Sequence, residues 1–450
     1  MKRSLFFIFL ISCIAGCKKF VSVDPPVDKI ITAQAFADDA TATATVTGIY
    51  SLMQQNYSYF GSFALSVYPG LYSDELKANR PGASDLEIQA CAVSTANGVV
   101  YDNWRTAYKY IYQANACLEG VGASKTLSDS VRKGLEGEAL FVRAFIHFYL
   151  VNLYGDIPLV TSTVYSVNAG LPRAKTSDVY TQVIADLLKA ESLLPPSYGT
   201  GKARPCKWAA AAMLARVYLY LGQWDKAEAA ASEVISSGQY FLSANLNNVF
   251  LSNSTETIWQ TPPVVSNINT YEGNQFNPII ASLVPNYSLT DSLLGAFEIG
   301  DGRRSAWVKT VSIGGVSYSY PYKYKVRTAS TVSENSIYLR LAELYLIRSE
   351  ARARQGKIPE AQADLNTIRA RAGLPSTTAS DEASLLNAIT RERRIEFFSE
   401  WGHRFFDLKR WGGADAALSY KPGWQPTDTL WPVPYAEIKL NPSLTQNPGY

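Results

Sequence analysis

The chain is poor in the residues that most often carry chemistry. Of its 450 residues, 2 are His, 3 Met and 5 Cys, and 42 Lys plus Arg nearly balance 39 Asp plus Glu. His147 and His403 each lie in a helical pattern dense in Arg and Glu. They form no His-x-x-x-His zinc motif, and no G-x-S-x-G elbow accompanies them, so they read as satisfied structural histidines. A Gly-rich phosphate loop is absent, and "GDGR" at 300–303 is too short for a calcium loop, so neither a cofactor nor a metal is expected. A net charge of +3, with both signs interspersed, argues against a nucleic-acid surface. Beyond Cys13 and Cys17, the scattered Cys91, Cys117 and Cys206 cannot build a disulfide framework; buried thiols are expected, with at most one bridge. No apolar run reaches the roughly 20 residues that a membrane-crossing helix needs.

What is present begins with a targeting signal. Lys2 and Arg3 precede an apolar run from Leu5 to Gly16, the layout of a secretory signal, and "IAGC" ending at Cys17 resembles a bacterial lipobox. Residues 1–16 then form the signal peptide, and Cys17 becomes the lipidated first residue of the mature chain. Acyl chains, at about 0.8 kcal/mol per buried methylene, would hold it on a membrane without a spanning helix. Residues 17–35, with paired prolines in "SVDPPVDK", read as lipid anchor and extended tether, and the folded body as 36–450.

The fold class is mainly α. Helical periodicity appears at about 36–56, 101–120, 130–154, 177–194, 207–221, 225–237, 336–355, 359–372 and 381–400. Between 57–100 and 239–335 the pattern breaks into irregular excursions rich in Asn, Ser, Gly and Tyr, with β-like runs such as "ETIWQT" and "AWVKTVSI". Gly222, Trp224 and Ala227 share a spacing with Gly356, Ile358 and Ala361: a helix-ending Gly, a large turn residue and an Ala that lets two helices approach. These are two tetratricopeptide-like hairpins. Two more, from 101–154 and from 177–194 or 381–411, make about four, and such units stack because none buries its apolar face alone.

Carboxylates and aromatics remain. Glu392, Glu396 and Glu400 have i,i+4 spacing, with Arg391, Arg393, Arg394 and Arg404 available as counter-charges, so a structural ion-pair lattice is expected and no catalytic residue is assigned. The chain also has 28 Tyr and 9 Trp. Rings that face solvent stack on sugars, while Asn, Asp and Arg bond hydroxyls. The first excursion offers Tyr57, Tyr59, Tyr72, Asp74, Asn79 and Arg80; the second offers Tyr271, Asn274, Tyr287, Trp307, Tyr318 and Tyr320. Tyr318, Tyr320, Tyr322 and Tyr324 share parity and would line one face of a strand that Pro321 confines to an edge. Any single ring serves more readily to cover a scaffold helix; the two regions are the ligand candidates.

Taken together, "GCKKF" with "VDPP", "GEALFVRAFIHFYLVNLYGDIPLV" (137–160), "AAAAMLARVYLYLGQWDKA" (209–227), "YLRLAELYLIRSEARARQG" (338–356), "DLNTIRARAGL" (364–374), "RERRIEFFSEWGHRFFDLKRW" (391–411) and "WPVPYAEIKLNPSLTQNPGY" (431–450) resemble the SusD/RagB outer-membrane lipoproteins of the Bacteroidetes, in the family's order and over essentially the whole chain. The resemblance implies a helical scaffold with an irregular ligand-facing half. It also implies a non-catalytic surface role: capture of an oligosaccharide or peptide for a SusC-like, TonB-dependent transporter. Lys18-Lys19-Phe20 lacks the acidic pair often linked to surface export, so outward exposure rests on the resemblance alone. Two other classes differ in what they demand. A lipid-anchored helical adaptor would hold a protein on its repeats, and a glycan hydrolase would need a carboxylate pair about 5–10 Å apart in a cleft.

Overall fold

The computed structural model describes residues 32–55, 60–61, 63–199 and 201–450. The signal peptide, Cys17, the tether as far as residue 31, Tyr57 and Tyr59 lie outside the described residues. The main helices are α1 (Asp39–Met53), α2 (Ala64–Tyr72), α3 (Ala83–Ala90), α4 (Gly98–Ala123), α5 (Asp129–Tyr154), α6 (Thr176–Leu193), α7 (Lys207–Tyr220), α8 (Trp224–Ser236), α9 (Leu341–Arg354), α10 (Ile358–Arg371), α11 (Glu382–Phe397) and α12 (His403–Arg410).

Three of the long helices, α1, α4 and α11, start at a side-chain cap. Asp38 Oδ1 accepts from the Ala40 and Thr41 amides at 2.9 Å ahead of α1, and Asp381 and Ser384 form a reciprocal box ahead of α11. Gly222 (φ +67°) and Gly356 (φ +72°) turn α7 into α8 and α9 into α10 through left-handed backbone that only Gly adopts cheaply. Ala227 and Ala361 are fully buried, as close helix approach requires. The helices pack in succession, α4 on α5, then α6, α7, α8, α9 and α10, so the hairpins stack as expected. From Leu135 to Tyr154 nearly every α5 side chain is buried, which makes α5 a central helix, wrapped on all sides. A second, smaller cluster (Leu346, Leu365, Ile368, Leu385, Ile389, Phe397) lies among α9, α10 and α11. Cys91, Cys117 and Cys206 are free and buried, and burial pushes the Cys91 and Cys117 thiols up to about 12, so they are unreactive at neutral pH.

The strands form two-stranded antiparallel sheets: β1 (Leu76–Ala78) with β3 (Tyr287–Leu289), β2 (Thr257–Thr261) with β6 (Ser336–Arg340), and β4 (Val308–Ile313) with β5 (Val316–Pro321). Two expectations need correction. Residues 336–340 are strand, not the start of a helix: their apolar run pairs with β2, and the helix begins at Leu341. The first excursion is also less irregular than expected, because it contains α2 and α3. Every α2 side chain is buried, so that helix has no polar face and hence no period to read.

Candidate ligand-binding face

The two excursions, some two hundred residues apart in sequence, fold onto each other. Leu76 pairs with Leu289 and Ala78 with Tyr287. The Asn79 amide extends the ladder to Asn286 O at 2.8 Å, while its side chain donates to Pro285 O (2.9 Å) and Ser288 Oγ (2.6 Å). Arg80 follows, exposed. Phe63 meets Tyr271 with ring centroids 6.3 Å apart, and β5 lies beside β3.

This arrangement withdraws half of the expected ligand residues. Tyr72 sits edge-on to Phe405 (5.0 Å), Trp424 and Trp431 in the core, Asp74 is bound by Arg404 and Arg394, and Tyr271 and Tyr287 pack against Phe63 and Phe276. Trp307 is wholly buried, with its Nε1 donating to Leu246 O at 2.9 Å, and Tyr320 is buried edge-on to Tyr322. Apolar area in these rings is worth more inside than outside, about 25 cal/mol per Å². Asn79, Asn274 and Tyr318 are half-buried and Arg80 is exposed, so these four remain accessible. The parity argument holds for Tyr318 and Tyr320 in β5; Tyr322 and Tyr324 lie beyond the strand.

Behind the face lies the ion lattice. Arg303 Nη1 reaches Glu392 (2.6 Å) and Glu396 (2.9 Å); Arg340 contacts Glu256 (3.0 Å), Glu396 (2.6 Å) and Glu400 (2.8 Å); Lys323 Nζ meets Glu400 at 2.5 Å. Arg371 bonds Glu256 (2.7 Å) and Glu396. The lattice exists, but its cations are not those expected. Arg393 pairs with Asp407, and Arg394 and Arg404 with Asp74, while the partners of the α11 carboxylates come from the second excursion, β6 and α10. Trp307 walls this cluster, its ring 4.8 Å from Lys323 Nζ. Burial pushes the Glu396 carboxyl up, but Arg371, Arg340 and Arg303 overcome it and hold it well below the usual range. A carboxylate kept ionised this firmly cannot donate a proton as a general acid. Burial pulls His147 down to about 3, with Nδ1 3.0 Å from Arg143 O, and pulls His403 down as well. Both rings are neutral and enclosed, although His147 Nε2 and His403 Nδ1 lack a hydrogen-bond partner, so the expected full satisfaction is not met.

Two adjoining recesses open above the lattice. One, of about 440 Å³, is bounded by Ser292, Phe297, Arg303, Arg391, Glu392 and Arg394; the other, about 600 Å³, by Leu294, Phe297, Ile299, Arg304 and Val308. They share Phe297, Glu298 and Asp301. The "GDGR" segment serves here as a helix start, with Asp301 capping Gly302–Trp307 and pairing with Arg303 at 2.8 Å. Phe297 and Arg304 escaped the sequence reading, and Arg391 entered it only as a counter-charge; the one sign in the sequence is the isolated apolar Ile299 between Glu298 and Gly300, which the fold leaves fully exposed. A further cleft of about 370 Å³ on the scaffold is lined by Trp104, Tyr108, Tyr112, Tyr165 and Leu440; Tyr108 and Tyr112 belong to the helical segment 101–120, and Tyr165 to a stretch assigned neither to a scaffold helix nor to an excursion.

Residues 33–219 match a family model described as starch-binding associating with outer membrane, and residues 304–450 match the SusD family. The chain belongs to the SusD/RagB family. A SusD-like protein of Formosa agariphila is 25% identical over an alignment of 530 positions covering 100% of this chain and 99% of that one. The starch-binding protein SusD of Bacteroides thetaiotaomicron is 24% identical, covering 74% of each chain. Among solved structures, a SusD superfamily protein of Bacteroides vulgatus superposes with a TM-score of 0.82 at 21% identity, covering 92% of this chain and 100% of the other. A laminarin-binding SusD-like protein gives 0.79 at 25% identity, covering 92% and 100%. The SusD fold thus extends across helical scaffold and excursions alike. No helix among the described residues is long and apolar enough to cross a membrane.

Proposed function

We propose that this SusD/RagB protein is a non-catalytic binding lipoprotein, anchored through Cys17 at the outer membrane and facing outward, that captures an oligosaccharide on its excursion face and passes it to a SusC-like transporter. The observation that carries this reading is the pair of recesses floored by a pre-paired ion lattice and rimmed by Arg304, Arg391 and Phe297. Such a site offers donors and an apolar wall while its deeper carboxylates are locked in salt bridges, which suits holding a ligand better than cleaving it. Relatives described as starch-binding and laminarin-binding support a glycan over a peptide. The test is calorimetric titration of the mature protein with glucan, other glycan and peptide panels, followed by chromatography of the ligand after prolonged incubation. Binding of an oligosaccharide recovered intact is expected. New reducing ends would overturn the non-catalytic reading, and binding of peptides alone would replace the ligand class.

A further inference from the structure

A separate recess of about 500 Å³ lies where the end of α5 meets α6, α12 and the C-terminal tail, with Asn152, Arg173, Thr176, Tyr220, Lys409 and Asn447 in its wall. We propose that it binds a small ligand through an oxyanion group, a carboxylate or a sulfate, held by Lys409. Two cations in the wall are bonded only to neutral oxygens. Arg173 donates to Asp156 O (2.6 Å), Thr445 O (3.0 Å), Tyr154 O (3.2 Å) and Asn447 Oδ1, which uses its fork fully without a carboxylate. Lys409 Nζ donates to Asn152 O at 2.7 Å, in the last turn of α5, where the carbonyl end of the helix welcomes a cation. That single bond leaves two ammonium hydrogens for the recess.

Each acidic group around the recess is already engaged. Asp156 Oδ1 takes the Thr176 amide (2.7 Å) and hydroxyl (2.8 Å), capping α6; Asp407 is shared by Arg393 (2.7 Å) and Arg410 (2.8 Å); Glu350 holds the Arg410 fork at 2.5 and 2.6 Å. Arg410 is therefore neutralised, and Arg173 has the Asp156 carboxylate close by, while Lys409 has no carboxylate acting on it. Burial pulls the Lys409 ammonium down to about 7, with no carboxylate opposing the shift. Lys421 shows the purely structural alternative, donating to two carbonyls at once, Leu71 O (2.7 Å) and Gln89 O (2.8 Å). Asp156 offsets the Arg173 charge, so Lys409 supplies both the uncompensated positive charge and the donors.

The experiment is a thermal-shift and calorimetric titration of the mature protein with sodium sulfate and with sodium glucuronate, against sodium chloride at matched ionic strength. Saturable binding of either probe, absent with chloride and weakened at least about tenfold in Lys409→Met but kept in Lys421→Met, is the expected result. Preference for glucuronate marks an acidic sugar as the source of the oxyanion; preference for sulfate marks a free or ester sulfate. No saturable binding, or binding unchanged in Lys409→Met, overturns the proposal. If that variant fails to fold, wild-type crystals soaked in sulfate decide: density on Lys409 Nζ supports the site, and its absence there overturns it.

Discussion

Arg340 Nη1 and Glu396 Oε1 lie 2.6 Å apart with both side chains sealed from solvent. The contact spans 56 residues and joins β6 to α11, while Arg303 brings the second excursion to the same carboxylate. The lattice is therefore the joint between the helical scaffold and the second excursion. Buried ion pairs of this kind contribute little net stability over apolar packing, but removing one partner strands the others.

Glu396→Ala leaves Arg303, Arg340 and Arg371 each short of a buried partner. A loss of about 3–5 kcal/mol in urea denaturation is expected. Glu382→Ala, which removes an exposed partner 3.4 Å from Arg354, should cost less than about 1 kcal/mol. Equal losses would show that the lattice carries no special weight.

The scaffold was legible because its helices are periodic and punctuated: Gly222 and Gly356 mark real turns. A short helix buried on all sides offers no period to read, which hides α2, and the unbroken burial of Ser336–Arg340 blurs the join between β6 and α9. The carboxylate ladder of α11 could be read from local spacing, but its partners could not, since Arg303 is 93 residues from Glu396. The same limit applies to the rings. Composition shows that Tyr and Trp abound, yet only the packing of distant segments decides that Trp307 is a wall of the ion cluster and Tyr318 stays accessible.

Stability should also carry a pH signature from Glu75. Its Oε2 accepts from the Ser399 amide at 3.2 Å, its Oε1 has no partner, and burial raises its carboxyl to about 8. Between the ordinary value of 4.5 and about 8 the folded state binds the proton more tightly than the unfolded state. The contribution of this group is thus present at acid pH and falls as pH rises through that window. Glu75→Gln, which mimics the protonated acid, should flatten the decline in melting temperature between pH 5 and about 8 and be at least as stable as wild type at the upper end. A decline unchanged in the variant would remove Glu75 as its source.

The ligand face is tested by comparing two accessible tyrosines. Tyr318 stands in β5 opposite Val311, in the hairpin whose first strand begins at Val308 on the larger recess and whose second lies beside β3. Tyr112 stands on α4 in the scaffold cleft and is 53% exposed. Both can offer a ring to a sugar, so exposure does not separate them; position does. If the excursions form the binding face, Tyr318→Ala should weaken oligosaccharide affinity by about 1 kcal/mol, roughly fivefold in Kd, and Tyr112→Ala should leave it within about twofold. Neither ring supports the core, so both variants should melt close to wild type, and a change in affinity reports contact rather than misfolding. The reverse pattern would move the ligand to the cleft between Trp104 and Leu440, making the scaffold the binding surface and the excursions its support.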